Sequence, residues 1–282
     1  MRRTAFIINP RSARGNYQPF LNALQRKLPD ALIHISESIE GTRKFIEEHD
    51  DKVDIFVAYG GDGTISSVAK QLVNSDKILA IFPAGSGNGF SNETNFTKNI
   101  VELLHKIQRG NFREIDTLMI NGHFSINVSG AGFDGAVVKN FEKTSRGFRN
   151  YIKTSLQTYF SYQPETFRFS DEHVIHDGEY LMLNVANTRQ FGNNAYIAPH
   201  ASTIDGLAEI VLVRKFPLWY APYFAWRLFA GKLREDQYIR YISAGELVFT
   251  TTTRDWHLDG EYTNITSPVH IKVLPRSLRI LQ

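Results

Sequence analysis

Cysteine is absent from all 282 residues, so disulfides, thiolate nucleophiles and cysteine-held zinc or iron–sulfur centres are excluded. A reducing compartment is compatible with that lack. A strong excess of either charge is lacking too: 32 Lys and Arg stand against 29 Asp and Glu. The resulting +3, with a pI near 8.9, is too slight to name a nucleic acid or a membrane as the partner. No apolar run is long enough to span a bilayer; even the aromatic stretch 217–231 is broken by Pro222 and Arg227. The apolar sequence after Arg2 and Arg3 ends at Asn9-Pro10, too soon for a signal peptide, and reads as a first strand. Neither an internal repeat nor a low-complexity segment is present. The nine histidines show no metal-ligand spacing; His173 and His176, on a strand, would point to opposite faces. What remains is ordinary globular composition, 42% hydrophobic and 22% charged, at a length that suits two lobes.

The first lobe alternates. Strand-like runs at 4–8, 31–36, 53–58 and 78–82 are separated by helical periods at 17–28, 43–48, 65–73 and 98–108, the second opened by Thr42 as its cap. Such alternation predicts a parallel sheet with right-handed connections. The chain is organised around Gly60-Gly61-Asp62-Gly63-Thr64, between the third strand and its helix. Glycines there let the backbone approach a ligand, and a helix start offers N–H groups and a positive dipole end to phosphate. Asp62 is the informative member, because a carboxylate beside a polyphosphate is repelled unless a divalent cation lies between them or it handles a proton. A second glycine loop, Pro83-Ala84-Gly85-Ser86-Gly87-Asn88-Gly89-Phe90, leaves the next strand. Both project from the carboxyl edge of a parallel sheet, where ligands bind. The first strand ends in Asn9-Pro10-Arg11-Ser12-Ala13-Arg14-Gly15, which could bind phosphate. Read alone, each of the three is also an ordinary βα turn.

Beyond residue 112 the pattern changes. Asn121-Gly122 predicts a hairpin between 112–120 and 123–128, and Asp177-Gly178 another between 173–176 and 180–185. Further strand-like runs lie at 208–214, 246–251, 255–258, 269–274 and 277–281, with helical interruptions at 147–162 and 217–231. The fold class expected is α/β plus β. An N-terminal Rossmann-like α/β lobe over residues 1–118 precedes a C-terminal antiparallel β-sandwich lobe over 119–282, whose last strand is free to return to the first lobe. Aromatics cover nearly every face of 219–229, which suits interfacial contact, a lipid-tail pocket or a helix buried between lobes.

Taken in order, Asn9-Pro10 with Ser12 and Gly15, the Gly60–Thr64 loop, Pro83-Ala84-Gly85-Ser86-Gly87-Asn88 and the late Asp259-Gly260-Glu261 resemble the diacylglycerol kinase and sphingosine kinase superfamily of lipid kinases. The spacing matches along the whole chain. The resemblance implies transfer of the γ-phosphate of ATP to a lipid hydroxyl, with Mg²⁺. It implies that Asn9, Ser12, Thr42, Gly60, Gly61, Asp62, Gly63, Thr64, Ser86 and Asn88 contact ATP, that Asp62 organises the Mg²⁺–phosphate network, and that Glu261 accepts the proton. Ser202, Asp205 and Leu207 resemble a structural Mg²⁺ loop of the bacterial enzymes, and one carboxylate with two backbone carbonyls suits a hard cation. Asp134, in Gly130-Ala131-Gly132-Phe133-Asp134-Gly135, is a candidate for the lipid headgroup. A carboxylate there suits the ammonium of a sphingoid base, whereas diacylglycerol needs only hydroxyl and ester contacts. One departure bears on substrate: the bacterial diacylglycerol kinases usually carry an acid where this chain has Gly89. The partners implied are a lipid substrate, a transient membrane surface and a second copy in a homodimer, with no nucleic acid, and the location is cytoplasmic and peripheral at the membrane. Two alternatives stand beside this. A NAD kinase shares the Gly-Gly-Asp-Gly loop but not the second glycine loop. A non-catalytic lipid-binding or regulatory module would fit the missing acid, against which the retained Asp62 and Glu261 argue.

Overall fold

Apolar runs without alternation become strands covered on both faces, and the computed structural model, which describes residues 2–144 and 148–282, has them early in the chain. Strands β1 (Thr4–Ile8), β2 (Leu32–Ile35), β3 (Ile55–Gly60) and β4 (Ile78–Pro83) pair in parallel in the order β2-β1-β3-β4. Every residue of β3 and β4 is buried. Helices α1 (Gln18–Lys27), α2 (Ile39–Glu48) and α3 (Asp62–Leu72) connect them, followed by the single turn α4 (Gly89–Glu93) and by α5 (Ile100–Arg109). The chain steps from β1 to β2 in one direction and from β3 to β4 in the other. The switch therefore falls between β1 and β3, where such sheets bind ligands at their carboxyl ends. Helix α2 packs on α3 and α1 on α5, as right-handed connections require of helices on opposite faces. These elements belong to one unit, Met1–Asp116 with Pro275–Gln282.

The other unit, Thr117–Leu274, is antiparallel. After β5 (Phe112–Ile120), which starts in the first unit, come β6 (His123–Ser125), β7 (Val128–Gly132), α6 (Phe133–Phe141), α7 (Phe148–Ser161), β8 (Glu165–Phe169), β9 (Gly178–Tyr180), β10 (Met182–Ala186) and β11 (Ala208–Val213). Then follow α8 (Ala221–Phe229), β12 (Ile239–Ala244), β13 (Glu246–Thr251), β14 (Asp255–Leu258), β15 (Glu261–Asn264) and β16 (Val269–Leu281). One sheet runs β12-β11-β10-β7-β14-β15; facing it are β13, β8, β9 and the first part of β16. The alternation along β11 shows how the sandwich is filled. Ile210 and Leu212 point inward with Phe167, Phe249, Trp256 and Ile271, while Val211 and Val213 point to the other face, onto Phe216, Tyr220 and Leu233. The end of β16 is part of the first unit, where Arg279 and Ile280 pair in parallel with Ile78 and Leu79 of β4.

Three local expectations are corrected. The cap of α2 is Ser38, extended at φ −149° and accepting from the Gly41 N–H at 3.0 Å; Thr42 lies inside the helix, its hydroxyl 2.6 Å from that of Ser36. Both residue types cap well, and the helix starts at Ser38, four residues ahead of Thr42. Residues 173–176 form no strand but part of the 3₁₀ turn Asp171–His176, with Val174 and Ile175 exposed. The strand that pairs with β9 is β8, and the Asp177 carboxylate takes the Phe169 N–H at 2.7 Å rather than turning a hairpin. The runs 269–274 and 277–281 are one strand, with Arg276 at φ +51° inside it. Of the helix expected over 147–162, Gly147 lies outside the described residues.

Candidate active site

In the first unit three loops meet at the carboxyl ends of β1, β3 and β4. The Asn9 amide donates to the Thr64 hydroxyl at 2.8 Å and its Oδ1 accepts from the Arg11 N–H at 2.9 Å, tying the first loop to the start of α3. The Ala13 N–H reaches the Ala84 carbonyl at 2.8 Å and the Ala84 N–H the Gly60 carbonyl at 2.8 Å, which tie the first loop to the third and the third to β3. The glycine loops touch backbone to backbone: a Cβ on Gly85 would stand 2.6 Å from the Gly61 Cα. Asn88, left-handed at φ 49°, accepts from the Gly85 N–H and donates to the Gly85 carbonyl, both at 2.9 Å. Asp62 is the first residue of α3, and its two oxygens accept from the N–H groups of Gly89 at 3.1 Å and Phe90 at 3.2 Å. A negative charge thus sits at the start of α4, where the dipole favours it. Gly61, Asp62, Gly63 and Thr64 are half-buried, Ser12 is half-buried and Ser86 exposed. Thr42 is buried and engaged with Ser36.

This arrangement suits a polyphosphate. The first turn of α3 has N–H groups with no acceptor inside the helix, the glycines keep side chains out of the way, and exposed Arg11 and Arg14 add positive charge. Ala13 and Arg14 are themselves left-handed, at φ 50° and 58°, a local conformation that non-glycine residues hold only where the surroundings impose it.

The second unit gathers a different set. Gly130 on β7 is opposite Asn184 on β10 and His257 on β14, so the three lie in one row across adjacent strands. Asp134, from the first turn of α6, comes over that row. A Cβ on Gly130 would be 2.5 Å from Asn184 Nδ2, 2.9 Å from His257 Nε2 and 3.1 Å from Asp134 Oδ2, so only glycine leaves them room. Asn184 donates to the Asp134 carboxylate, His257 Nε2 stands 3.8 Å from it, and all three side chains are buried. The Asn184 Oδ1 has no hydrogen-bond partner among the described residues, a costly arrangement for a buried acceptor. His257 Nδ1 accepts from the Gly260 N–H at 3.3 Å, linking this cluster to the two-residue turn Asp259-Gly260. Asp259 is no mere turn residue. Its buried carboxylate accepts from the Ser125 hydroxyl at 2.7 Å and from the Ile126 and Asn127 N–H groups at 3.1 and 2.9 Å. Glu261 opens β15 opposite Leu258 and is exposed.

The sequence reading missed Asn184, His257 and the clamp made by Asp259. Strand order carries no local signal, and the row across β10, β7 and β14 exists only once they pair. Asp134 is neither solvated nor a turn residue, being 7% exposed. Around Asp205 the carboxylate accepts the Leu207 N–H at 3.0 Å, and the Ser202 hydroxyl the Ile204 N–H at 3.4 Å. No group of three or more His, Cys, Asp or Glu able to hold a metal occurs among the described residues. The Asp205 and Ser202 side chains are thus engaged with N–H groups of their own loop.

Comparison with known proteins follows the same division. Residues 3–120 match the family described as the diacylglycerol kinase catalytic domain, and residues 127–282 the family described as the YegS C-terminal NAD kinase beta sandwich-like domain. A relative named diacylglycerol kinase, from Bacillus subtilis strain 168, is 25% identical over 299 residues, covering 98% of this chain and 97% of its own length. One named "Probable lipid kinase YegS-like", from Alcanivorax borkumensis, is 25% identical and covers 86% of this chain and 84% of its own. A crystal structure described as a diacylglycerol kinase from Bacillus anthracis strain Sterne aligns with a TM-score of 0.74 over 99% of this chain and 96% of that one; at 22% identity this likeness concerns the fold.

Proposed function

Because the chain belongs to the diacylglycerol kinase and YegS-like lipid kinase family, we propose that it is an ATP-dependent kinase acting on the hydroxyl of a neutral lipid of the diacylglycerol type. The observation that carries this reading is the bridge made by Asp62, which joins the helix start after β3 to the loop after β4. ATP with Mg²⁺ supplies the phosphoryl group and neutralises the charge that develops during transfer. The chain's own part is positioning. The start of α3 and the glycine loops hold the phosphates, Asn9 and Asn88 keep the loops in shape, and Asp62 sets a negative charge where a hydrated cation is needed. Glu261 takes the proton of the acceptor hydroxyl, a contribution of roughly 10²–10⁴ in rate.

Asp134 supports the choice of a neutral lipid. Its carboxylate takes a hydrogen bond from Asn184 inside the protein, so an ammonium group is not required to partner it. The test is phosphate transfer from radiolabelled ATP to diacylglycerol, sphingosine, ceramide and NAD offered side by side. Diacylglycerol labelled well above the others is the expected result. Labelling of sphingosine alone would reverse the role given to Asp134, and labelling of NAD alone would replace the substrate class. The Asp205 loop belongs to the same reading as a structural Mg²⁺ site, and a Mn²⁺-soaked crystal should show anomalous scattering beside its carboxylate.

A further inference from the structure

We infer that His257 is a positioning residue for Glu261, and that α6 is the element that holds it to that duty. The inference rests on the reading above for the role of Glu261 and deepens it by naming what fixes that carboxylate in place. Topology shows the need. Strand β15 closes one end of its sheet, beside β14, and Glu261 is exposed at the head of that edge strand. A carboxylate on an edge hairpin takes its position from the turn behind it, and a proton acceptor has to lie within hydrogen-bond reach of the hydroxyl it serves. The turn here is Asp259-Gly260. Asp259 is anchored on residues 125–127, and the N–H of Gly260, the residue before Glu261, goes to His257 Nδ1 at 3.3 Å. The turn is held on both sides.

The buried His257 ring has one place to lie, over Gly130 and with the centre of the Phe191 ring 6.1 Å from its own. Because Nδ1 accepts, the neutral ring carries its hydrogen on Nε2, which faces the Asp134 carboxylate at 3.8 Å. Asp134 thereby favours the tautomer that keeps a lone pair for the turn. It comes from the first turn of α6, and the rest of that helix grips the same hairpin. Gly135 brings the helix so close to β14 that a Cβ there would strike the Asp255 carbonyl. Lys139 donates to the Asp255 carboxylate at 2.7 Å and stands 5.0 Å from the centre of the Tyr262 ring, whose hydroxyl donates to the same carboxylate at 2.7 Å. Glu142, at the end of the helix, accepts from the Tyr262 N–H at 3.4 Å. Positions 134, 135, 139 and 142 fall on one side of a helix, so a single face of α6 holds β14 and β15. An apolar side chain at 257 would fill the same space, yet it would leave the Gly260 N–H to water and the turn free to shift.

The test is turnover of a short-chain diacylglycerol with radiolabelled ATP, read beside amide hydrogen exchange of residues 259–262 in the whole chain. His257→Leu removes the acceptor, whereas His257→Asn puts an amide oxygen where Nδ1 stood. His257→Leu is expected to lower kcat roughly ten- to a hundredfold with the KM for ATP unchanged, and to speed exchange in the turn. His257→Asn should recover most of both. Added to Glu261→Gln, His257→Leu should cost less than about twofold more, because a residue that acts through another does not add to its loss. Lys139→Met, on the surface of α6, should show the same pattern more weakly. Additive losses in His257→Leu with Glu261→Gln, full turnover by a folded His257→Leu variant, or no recovery in a folded His257→Asn variant overturns the inference. Full turnover by Glu261→Gln leaves His257 no duty to serve and overturns it too. If His257→Leu does not fold, Lys139→Met with and without Glu261→Gln decides by the same rule. A parent chain that labels no lipid would sink the kinase reading, and exchange then decides the tie alone: protection lost in His257→Leu and regained in His257→Asn upholds it, and unchanged protection overturns it.

Discussion

Asp62 and Glu261 differ in what surrounds them, and single substitutions should separate their duties. An amide at position 62 keeps one acceptor for the Gly89 and Phe90 N–H groups but turns a donor toward the other. Asp62→Asn is therefore expected to cost about 1–2 kcal/mol in urea unfolding as well as to abolish ADP release in the presence of lipid. A folded Asp62→Asn variant with full turnover would remove this residue from the active site. In the Asp259-Gly260-Glu261 turn the effects should divide. Asp259→Asn breaks a buried clamp on residues 125–127 and should cost about 2–3 kcal/mol. Glu261→Gln should leave the thermal midpoint in place and slow turnover roughly a hundredfold or more. The two acids are two positions apart in sequence and their neighbourhoods are unlike: the family resemblance marks Glu261, whereas the clamp made by Asp259 exists only in the folded chain.

At the scale of the element, α8 is held by an ion pair that its aromatic sequence hides. Arg227 is 2% exposed and reaches Asp236 at 2.5 Å, while its other nitrogen bonds the Arg234 carbonyl. Burial together with Asp236 pushes the Tyr220 hydroxyl in the same cluster up to about 12. Arg227→Met should cost about 3 kcal/mol, because it strands the Asp236 carboxylate, and Arg227→Met with Asp236→Asn should recover part of that loss. Calorimetry on the three proteins would show it; equal losses in single and double variants would mean the pair is not coupled. The contact between α6 and β14 makes a prediction in pH. Burial alone would raise the Asp255 carboxyl, but hydrogen bonds from Lys139 and from the Tyr262 hydroxyl, each 2.7 Å, hold it below the usual aspartate range. The unfolded chain then binds the proton more readily than the folded one. The contribution is complete above the unfolded value near 3.8 and is lost as pH falls through the lower folded value. Urea midpoints measured from pH 5 down to 3 should fall, and less steeply for Asp255→Asn.

For the whole molecule, the distribution of the last strand matters most. Leu278, Ile280 and Leu281 are buried in the first unit, and Arg279 and Ile280 continue its sheet beside β4. Burial of three such side chains is worth on the order of 5 kcal/mol, comparable with the total stability of a domain. Ending the chain at Leu274 is thus expected to lower the unfolding temperature of the first unit sharply and to expose β4 as an unpaired edge. Circular dichroism melts and light scattering on the truncated protein would check both, and an unchanged melt would show the strand end to be dispensable.

Much of this architecture is local and was legible in the sequence. Unalternating apolar runs gave buried parallel strands, alternating runs gave the sandwich, and Asn121-Gly122 gave a hairpin whose turn residues are left-handed at φ 46° and 78°. Such signals depend on a few neighbouring residues, so the chain carries them before it folds. Residues 173–176 misled because two adjacent apolar side chains satisfy strand propensity without saying whether a partner strand is free, and β8 was already the partner of β9. Only the tertiary structure decided that Gly130, Asn184 and His257 form one row, that Asp134 is buried above it, and that Asp62 reaches the start of α4. Those facts are set by which strands lie side by side and which loops they bring together, a long-range pairing chosen by the packing of whole faces rather than by any short stretch of residues.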